Sequence, residues 1–571
     1  MGNQATMESA EVSQDDEGNI SQDEVESLRD KTARLAHEVE KLKQQTQDPH
    51  IDCLNEVFSE LWPHISAFAA RTMKESVEPR IQAALPSVLA GGFSFDKVAF
   101  GDTPLQLGSV TATSEDHFRD DQMERDLSLK FNTSYCSTAL ISFSAAGTSL
   151  GIQEVQLEGV LTVVLQELLG TPPFISGMSM FFADSPTIKM RWTGPAAVLY
   201  LLKHTVRSVI YQQMHELCVL PKRIAVVFDK CRRNRAQAKA TCPPACLHVH
   251  LLAARGLNEK NWHFFQGTSS SPYAKLRVGG HEHRSKTLTK TCSPQWDEEF
   301  LLFAFTREQL LCLDVLNEDS ATGDDFVGCL KISVADVLAR CNSGPDWFTL
   351  SPDEEVDATA RVSGEVQLAA KWMPISLDHA KANAIETPGP IPQALLYMGL
   401  YSIRVPPALV GMAYTIEVSC NGKDHSILRK TSGMAVEELE VVDLKDKIAK
   451  LRSLNATDED IADILSIPVE ALEEEDPSVT RYTNKLRIDE PFLWLVDVPK
   501  LTAVQIAVMD SNRNLVSVQH HIRDCLSDRS CTRREIIKSG KIKMDVFTKV
   551  LVVHEANDST TRPHGTRRLF A

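Results

Sequence analysis

The stretch Glu154–Gly170, EVQLEGVLTVVLQELLG, constrains this chain more than any other. Its apolar residues alternate: Val155, Leu157, Leu161, Val163 and Leu165 fall on one face of an extended strand. Val160 and Val164 place some apolar surface on the other face. A strand of this kind needs a cover for its apolar side. That cover is either a filled core of side chains or a slot that admits an apolar guest, and periodicity alone does not separate the two.

The surroundings repeat the pattern. Residues 52–90 have helical spacing, with Pro63 and Pro79 as expected breaks or kinks. Strands follow from Gly91, carrying Phe93, Phe95 and Val98, then Leu105, Leu107 and Val110, then RDLSLKFNTSY. TIKMRW puts Ile188, Met190 and Trp192 on one side, and a helix is expected around Ala196–Leu217. From Cys246 the alternation restarts in short segments, and after TPGPIPQ it restarts again.

Composition narrows the classes. The chain has 571 residues, enough for three or four domains, and 43% hydrophobic residues, enough for packed cores. Its net charge of -17 argues against nucleic acid as the main partner. Thirteen scattered cysteines read as reduced thiols, and Cys242 with Cys246 around Pro-Pro reads as linker rather than zinc site. No apolar run reaches the length of a transmembrane helix, and the polar, acidic start does not read as a secretory signal. MGNQAT fits the N-myristoylation pattern at Gly2, and one acyl chain anchors only marginally. In 21–47, Val25, Thr32 and Val39 alternate with Leu28, Leu35 and Leu42 in heptad register, predicting a short coiled coil or a lone helix.

Specific segments carry a resemblance. LNEVFSELWPHISAFAARTMKESVEP is similar to the opening helix of the SMP domain of extended synaptotagmins and tricalbins. LQELLGTPPFISGMSMFFADSPTIKMRWTG resembles that domain's most recognisable segment, and LCVLPKRIAV its closing strand. The chain departs from the family after Gly194, where the usual Pro-Gly-Leu turn is missing. SSPYAKLRVGG, KTCSPQWDEEFLLFAF, LLCLDVLNED, DDFVGCLKISVADVL and GEVQLAAKW resemble successive pieces of a C2 β-sandwich. LLYMGLYSIRV, PFLWLVDV, AVQIAVMDSNRNLVSV and KIKMDVFTKVLVV resemble a divergent second one.

The resemblance implies an α+β protein: a tubular, TULIP-like SMP lipid-binding domain, then two C2-type sandwiches, with the N-terminal coiled-coil helix ahead of them. The expected layout is a disordered acidic start (1–20), a coiled-coil helix (21–47), the SMP domain (52–230) and a basic, Pro-rich linker (231–245). The first C2 domain (246–375), a linker (376–393), the second C2-like domain (394–556, helical insert 434–478) and a loose tail (557–571) follow. Expected lipid-lining residues, from alternation with the resemblance, are Phe68, Leu85, Leu107, Leu129, Leu157, Leu161, Val163, Met178, Met190 and Ile210.

Calcium needs six to eight oxygen ligands, mostly carboxylate. The first C2 has Asn261, Ser271 and Asn317 at positions where acids are usual, leaving Asp319 with Asp324 or Asp325. The second offers Asp510. Calcium is therefore not expected, nor any other cofactor. Arg284, Lys286 and Lys290, on an expected strand, offer a face for acidic lipid or simply a solvated strand. His248/His250 and His281/His283 read as exposed strand residues.

The pattern holds no nucleophile elbow, P-loop, H-E-x-x-H or dinucleotide glycines. The resemblance implies a non-enzymatic carrier of glycerophospholipids between apposed membranes, homodimeric and peripheral on anionic membrane at endoplasmic-reticulum contacts. A tether without transport is the alternative. The family's N-terminal hydrophobic hairpin is not in this sequence, so anchoring is expected through myristate, the linker, a C2 face or a partner.

Overall fold

A computed structural model describes residues 49–85, 92–119, 122–145, 148–194, 196–228, 235–257, 271–289, 291–318, 324–352, 362–404, 414–420, 424–430, 452, 485–510, 513–539, 542–555 and 567–568. Gly2, the heptads of 21–47, Asn261, Lys290, Asp319 and the insert 434–478 apart from Arg452 lie outside the described residues.

The chain enters as helix α1 (Pro49–Thr72), passes through one π-helical turn (Met73–Val77) and continues as α2 (Glu78–Ala84). Pro63 sits inside α1 and does not break it. Pro79 stands in the first turn of α2, where its missing N–H is tolerated, and the π turn just before it takes up the mismatch. The expected interruptions are thus absorbed within one helical rod.

Strands β1 (Ser94–Ala99), β2 (Gln106–Arg119), β3 (Gln122–Ser137), β4 (Leu140–Ala145), β5 (Thr148–Leu168), β6 (Ile175–Phe182), β7 (Thr187–Thr193) and β8 (Ile224–Val227) form one sheet. β5 is its spine. It pairs β4 and then β7 along one half, β6 along the other, and β3 beside it. β2 lies outside β3, and β8 outside β6. Helix α3 (Ala196–Cys218) begins on schedule after Gly194, whose φ of 133° turns the chain. The missing Pro-Gly-Leu turn therefore does not displace the helix.

Two β-sandwiches follow. The first contains β9 (Ala245–Arg255), β10 (Pro272–Val278), β11 (His281–Arg284), β12 (Gln295–Ala304), β13 (Leu310–Asn317), β14 (Asp325–Ser333), helix α5 (Val334–Arg340), β15 (Asp346–Thr349) and β16 (Glu365–Ser376). Its sheets run β11-β10-β13-β14 and β12-β9-β16, with β15 beside β16. The second sandwich contains β17 (Ala394–Arg404), β18 (Tyr414–Cys420), β19 (Asp424–Lys430), β20 (Lys485–Val496), β21 (Ala503–Asp510), β22 (Arg513–His521), β23 (Thr532–Ser539) and β24 (Ile542–Val553). β16 pairs with β24 through Ile375↔Val553 and Ser376↔Val552, so one sheet runs through both sandwiches.

The linkers are built into the body. The segment expected as a tether carries helix α4 (Arg235–Lys239), with Ala238 and Ala240 buried, and Lys239 Nζ meets Glu490 Oε1 at 2.5 Å. The second linker forms α6 (His379–Ala384), capped by Asp378, with Ala382 buried in the second core.

The histidines also depart from the solvated reading. His281 stacks on Phe303 with centroids 3.9 Å apart and accepts its backbone N–H. Burial pushes the His281 imidazole down to about 3. His248 is likewise half-buried, and burial lowers it.

A candidate lipid-binding trough

Antiparallel partners directly opposite share a face. The registers therefore extend the alternation of β5 sideways. Leu129 stands opposite Val163, and Val163 opposite Met180; Leu127 opposite Leu165, and Leu165 opposite Met178. β8 continues the rows, Ile224 beside Met180 and Val226 beside Met178. Toward the other end, Tyr135–Leu157–Ile188 form a row of the same face, with Val155 opposite Met190 alongside.

The two ends of this face have different fates. At one end it is sealed. Leu85, Ile81, Val77, Phe93, Phe95, Phe143, Tyr135, Ile188 and Val206 form a buried cluster, with Leu157, Met190 and Ile210 packed against it. Trp62 donates its indole N–H to the Gly101 carbonyl at 2.8 Å, fixing α1 over this end. Gly159 marks the boundary: a Cβ there would meet the Phe182 ring at 3.2 Å. Beyond it, Leu161 packs on Phe182, Cys218 and Val219.

The other end is only partly covered. α1 lies over β2 and β3 through Ile51, Asn55 and Phe58. The Asn55 carboxamide donates to the Leu107 carbonyl (2.9 Å) and accepts the Leu107 N–H (2.7 Å). Leu107 and Phe131 are buried beneath it. Leu127, Leu129, Val163, Leu165, Met178 and Met180 line the remainder of the strip, Leu127, Leu129, Val163 and Met178 among them half-buried. Val226 on β8 is 39% exposed, and Phe228 just past the strand is 48% exposed. Along α1 a second apolar row, Leu54, Val57, Leu61, Ile65 and Phe68, is exposed, Phe68 at 53%. An apolar strip with apolar rims is what a soluble chain normally avoids unless something covers it.

The ten expected lining residues thus separate. Leu129, Val163 and Met178 face the strip. Leu161 and Leu107 form its packed floor and wall. Leu85, Leu157, Met190 and Ile210 belong to the sealed end, with Leu85 a core residue, and Phe68 stands on the rim. The sequence reading put Leu165 on this face without naming it as lining, and missed Leu127, Met180, Ile224, Val226 and Phe228. The last three alternate in the closing strand and just past it, and that period was the available signal.

Of the expected cationic face on the first sandwich, Arg284 is paired, Lys286 is exposed and Lys290 lies outside the described residues. The strand ends at Arg284, so Lys286 lies beyond it. Arg284 pairs with Glu318 at 2.6 Å and lies 3.8 Å over the Tyr273 ring. The Tyr273 hydroxyl donates to Asp324 at 2.5 Å, and Asn317 accepts the Ser271 N–H at 2.7 Å. Among the described residues no group of three metal-ligating side chains converges. No disulfide joins the described cysteines.

The trough is fixed to the sandwiches. Gln309 donates to the Ala183 carbonyl (2.6 Å), and Asp184 accepts the Leu310 N–H (3.0 Å). Arg277 donates to Ser185 (2.6 Å) and to His215 Nε2 (3.1 Å), which requires a neutral imidazole. Burial, helped by Arg277, holds His215 down near 4, and burial raises Asp184 to about 6. Lys222, whose pKa burial lowers, donates to the Pro491 carbonyl of the second sandwich at 2.9 Å.

No helix among the described residues is long and apolar enough to cross a membrane. Residues 48–228 match the model of the synaptotagmin-like mitochondrial-lipid-binding domain, and 245–350 that of the C2 domain. The chain is 28% identical over 374 residues to extended synaptotagmin-1 of Homo sapiens, covering 64% of this chain and 32% of that one. It is 28% identical over 332 residues to extended synaptotagmin-3 of Mus musculus, covering 57% and 35%. The matched part thus spans about a third of those relatives. A solved fragment of extended synaptotagmin 2, holding its SMP domain and two C2 domains, superposes with a TM-score of 0.51 at 19% identity, covering 88% of this chain and 99% of that one. The chain carries a synaptotagmin-like mitochondrial-lipid-binding domain followed by a C2 domain, and in this it is similar to the extended synaptotagmins.

Proposed function

We propose that this protein takes up the acyl chains of glycerophospholipids in the trough and carries them between apposed membranes, making and breaking no bond. The observation that carries the reading is the strip Leu127–Leu165–Met178–Val226, a continuous apolar ladder whose first three members stay half-buried and whose last is exposed among the described residues. From Leu161 to Leu168 the spine strand covers about 23 Å at ~3.3 Å per residue. One leaflet's hydrocarbon is about 15 Å thick, so the strip is long enough for a lipid's tails. Shielding each methylene from water is worth about 0.8 kcal/mol, which is the barrier such a carrier lowers.

The C2 units dock on membrane largely without calcium. Support comes from Asp324 and Glu318, whose carboxylates are already engaged by Tyr273 and Arg284. An endoplasmic-reticulum contact site is the setting this reading suggests, in keeping with the relatives, and homodimerisation goes with it.

The test is transfer of labelled phospholipid between two vesicle populations. Met178→Trp should abolish transfer while the chain melts normally, because Met178 borders the strip and belongs to no sealed cluster. Leu161 suits this test poorly, since a larger side chain there would strike Phe182 and Val219. Tethering of vesicles at wild-type level with no transfer by the wild-type protein would leave the tether reading instead.

A further inference from the structure

The wall of the trough ends in a long strand edge. β2 is the last long strand on its side, and from Val110 to Arg119 its register with β3 is unbroken. Such an edge presents a row of N–H and C=O groups that accepts another strand unless a Pro, a Lys or a bulge blunts it. VTATSEDHFR, residues 110–119, contains neither Pro nor Lys. The bulge of β2 lies at Leu107–Val110, ahead of this regular run.

Two other parts of the chain pair with β2 as a neighbouring strand would. Ahead of the bulge, the Asn55 carboxamide both donates to and accepts from the Leu107 backbone, at 2.9 and 2.7 Å, as a peptide group does. Along the regular run the partner is β25 (Arg567–Arg568), antiparallel to β2, with Arg568 opposite Thr113 and Arg567 opposite Ser114. These residues lie beyond the second sandwich, whose last strand β24 ends at Val553. The end of the chain therefore returns to its first unit. We propose that the outer edge of β2 is a strand-accepting site, occupied in cis by the chain's own C-terminal segment as a replaceable edge strand. Main-chain hydrogen bonds supply the affinity of such a site, so it takes an extended segment. A ladder of two residues opens easily, which makes the occupant replaceable. Once it lifts, the rival occupant is the same edge of a second copy, since antiparallel edges complement themselves. Neither the site nor its occupant depends on lipid in the trough.

Hydrogen exchange on the full chain, without lipid, tests the site. Arg567→Pro/Arg568→Pro removes both N–H donors of β25. It should speed exchange in peptides covering 110–116 by about three- to tenfold, the range expected for one lost hydrogen bond. A chain ending at Ala556, which keeps all of β24, should show the same. Arg567→Ala/Arg568→Ala keeps the donors and should exchange as the wild type does. Exchange at 127–135 and the melting temperature should be unchanged in all three. Equal exchange at 110–116 in the wild type and the proline variant would overturn the proposal. Fast exchange in the alanine variant would also overturn it, because side chains rather than backbone would then hold the segment. So would slow exchange in the wild type that disappears on dilution, since the strand would then come from another copy. Association of the shortened chain into dimers that protect 110–116 would support the site by filling it with its rival.

Discussion

The first sandwich and the N-terminal unit are built from the same kind of strand, yet one closes and the other does not. In the sandwich, Leu247, Val249 and Leu251 of β9 meet Leu276, Leu313 and Val315 of the facing sheet, and all are fully buried. In the N-terminal unit, Leu129, Val163 and Met178 alternate just as regularly and stay half-buried. The difference lies in the cover. Two sheets offer each other faces of equal width about 10 Å apart. A helix is ~10 Å across, whereas β2-β3-β5-β6-β8 is about 19 Å wide at ~4.8 Å per strand interval. One helix over five strands leaves a strip only half covered among the described residues. The sealed end shows the converse, for there α2 and the body of α3 supply the missing cover.

Substitutions can break this comparison, and the largest effect is expected in the sandwich. Leu247→Ala should destabilise by about 2–5 kcal/mol, since it opens a cavity in a closed core. Val163→Ala should cost about 1 kcal/mol or less, because its site already borders open space. Chemical denaturation of both variants checks the contrast, and equal losses would mean that the trough is as closed as the sandwich.

The joint at His215 and Asp184, and His281 inside the first sandwich, should respond to acid. His215 and His281 have folded pKa values below their unfolded value, so their contribution is fully present above about 6.5 and is lost as pH falls toward 4 and 3. Asp184, raised to about 6, acts oppositely and gains on protonation. Two imidazoles outweigh one carboxyl, so stability should fall from pH 6.5 to 4, by up to about 1.4 kcal/mol per pH unit for each net proton. Melting curves against pH should show a shallower acid limb in His215→Gln than in the wild type.

The smallest expected effect is that of calcium. A site holding calcium with a dissociation constant about one-hundredth of the added concentration would stabilise its domain by about 2.7 kcal/mol. Melting with and without millimolar calcium should show no such shift, because Arg284 already neutralises Glu318 and Tyr273 occupies Asp324. A shift of that size would show that these carboxylates exchange their partners for metal.

Much of the architecture was legible because alternation and segment order are local. The apolar face of β5 and the sandwich strands follow from period two alone. What covers that face is not local. Leu129 and Leu157 read alike in sequence, yet one borders the strip and the other the sealed end, because Phe182 crosses Gly159 between them. Helix α4 was invisible for another reason. Five residues are too few to show a helical period, and its order comes from burying Ala238 and Ala240 and from Lys239 reaching Glu490. Arg284 counted as a free cation in sequence because its partner Glu318 lies 34 residues away, across two strands.

The most direct measurement is the lipid content of the purified full chain, by native mass spectrometry with extraction and identification of whatever is released. The account predicts near-stoichiometric glycerophospholipid in the wild type, absent from Met178→Trp at unchanged melting temperature. A wild-type chain that is folded, monodisperse and free of lipid, even after incubation with vesicles, would contradict it.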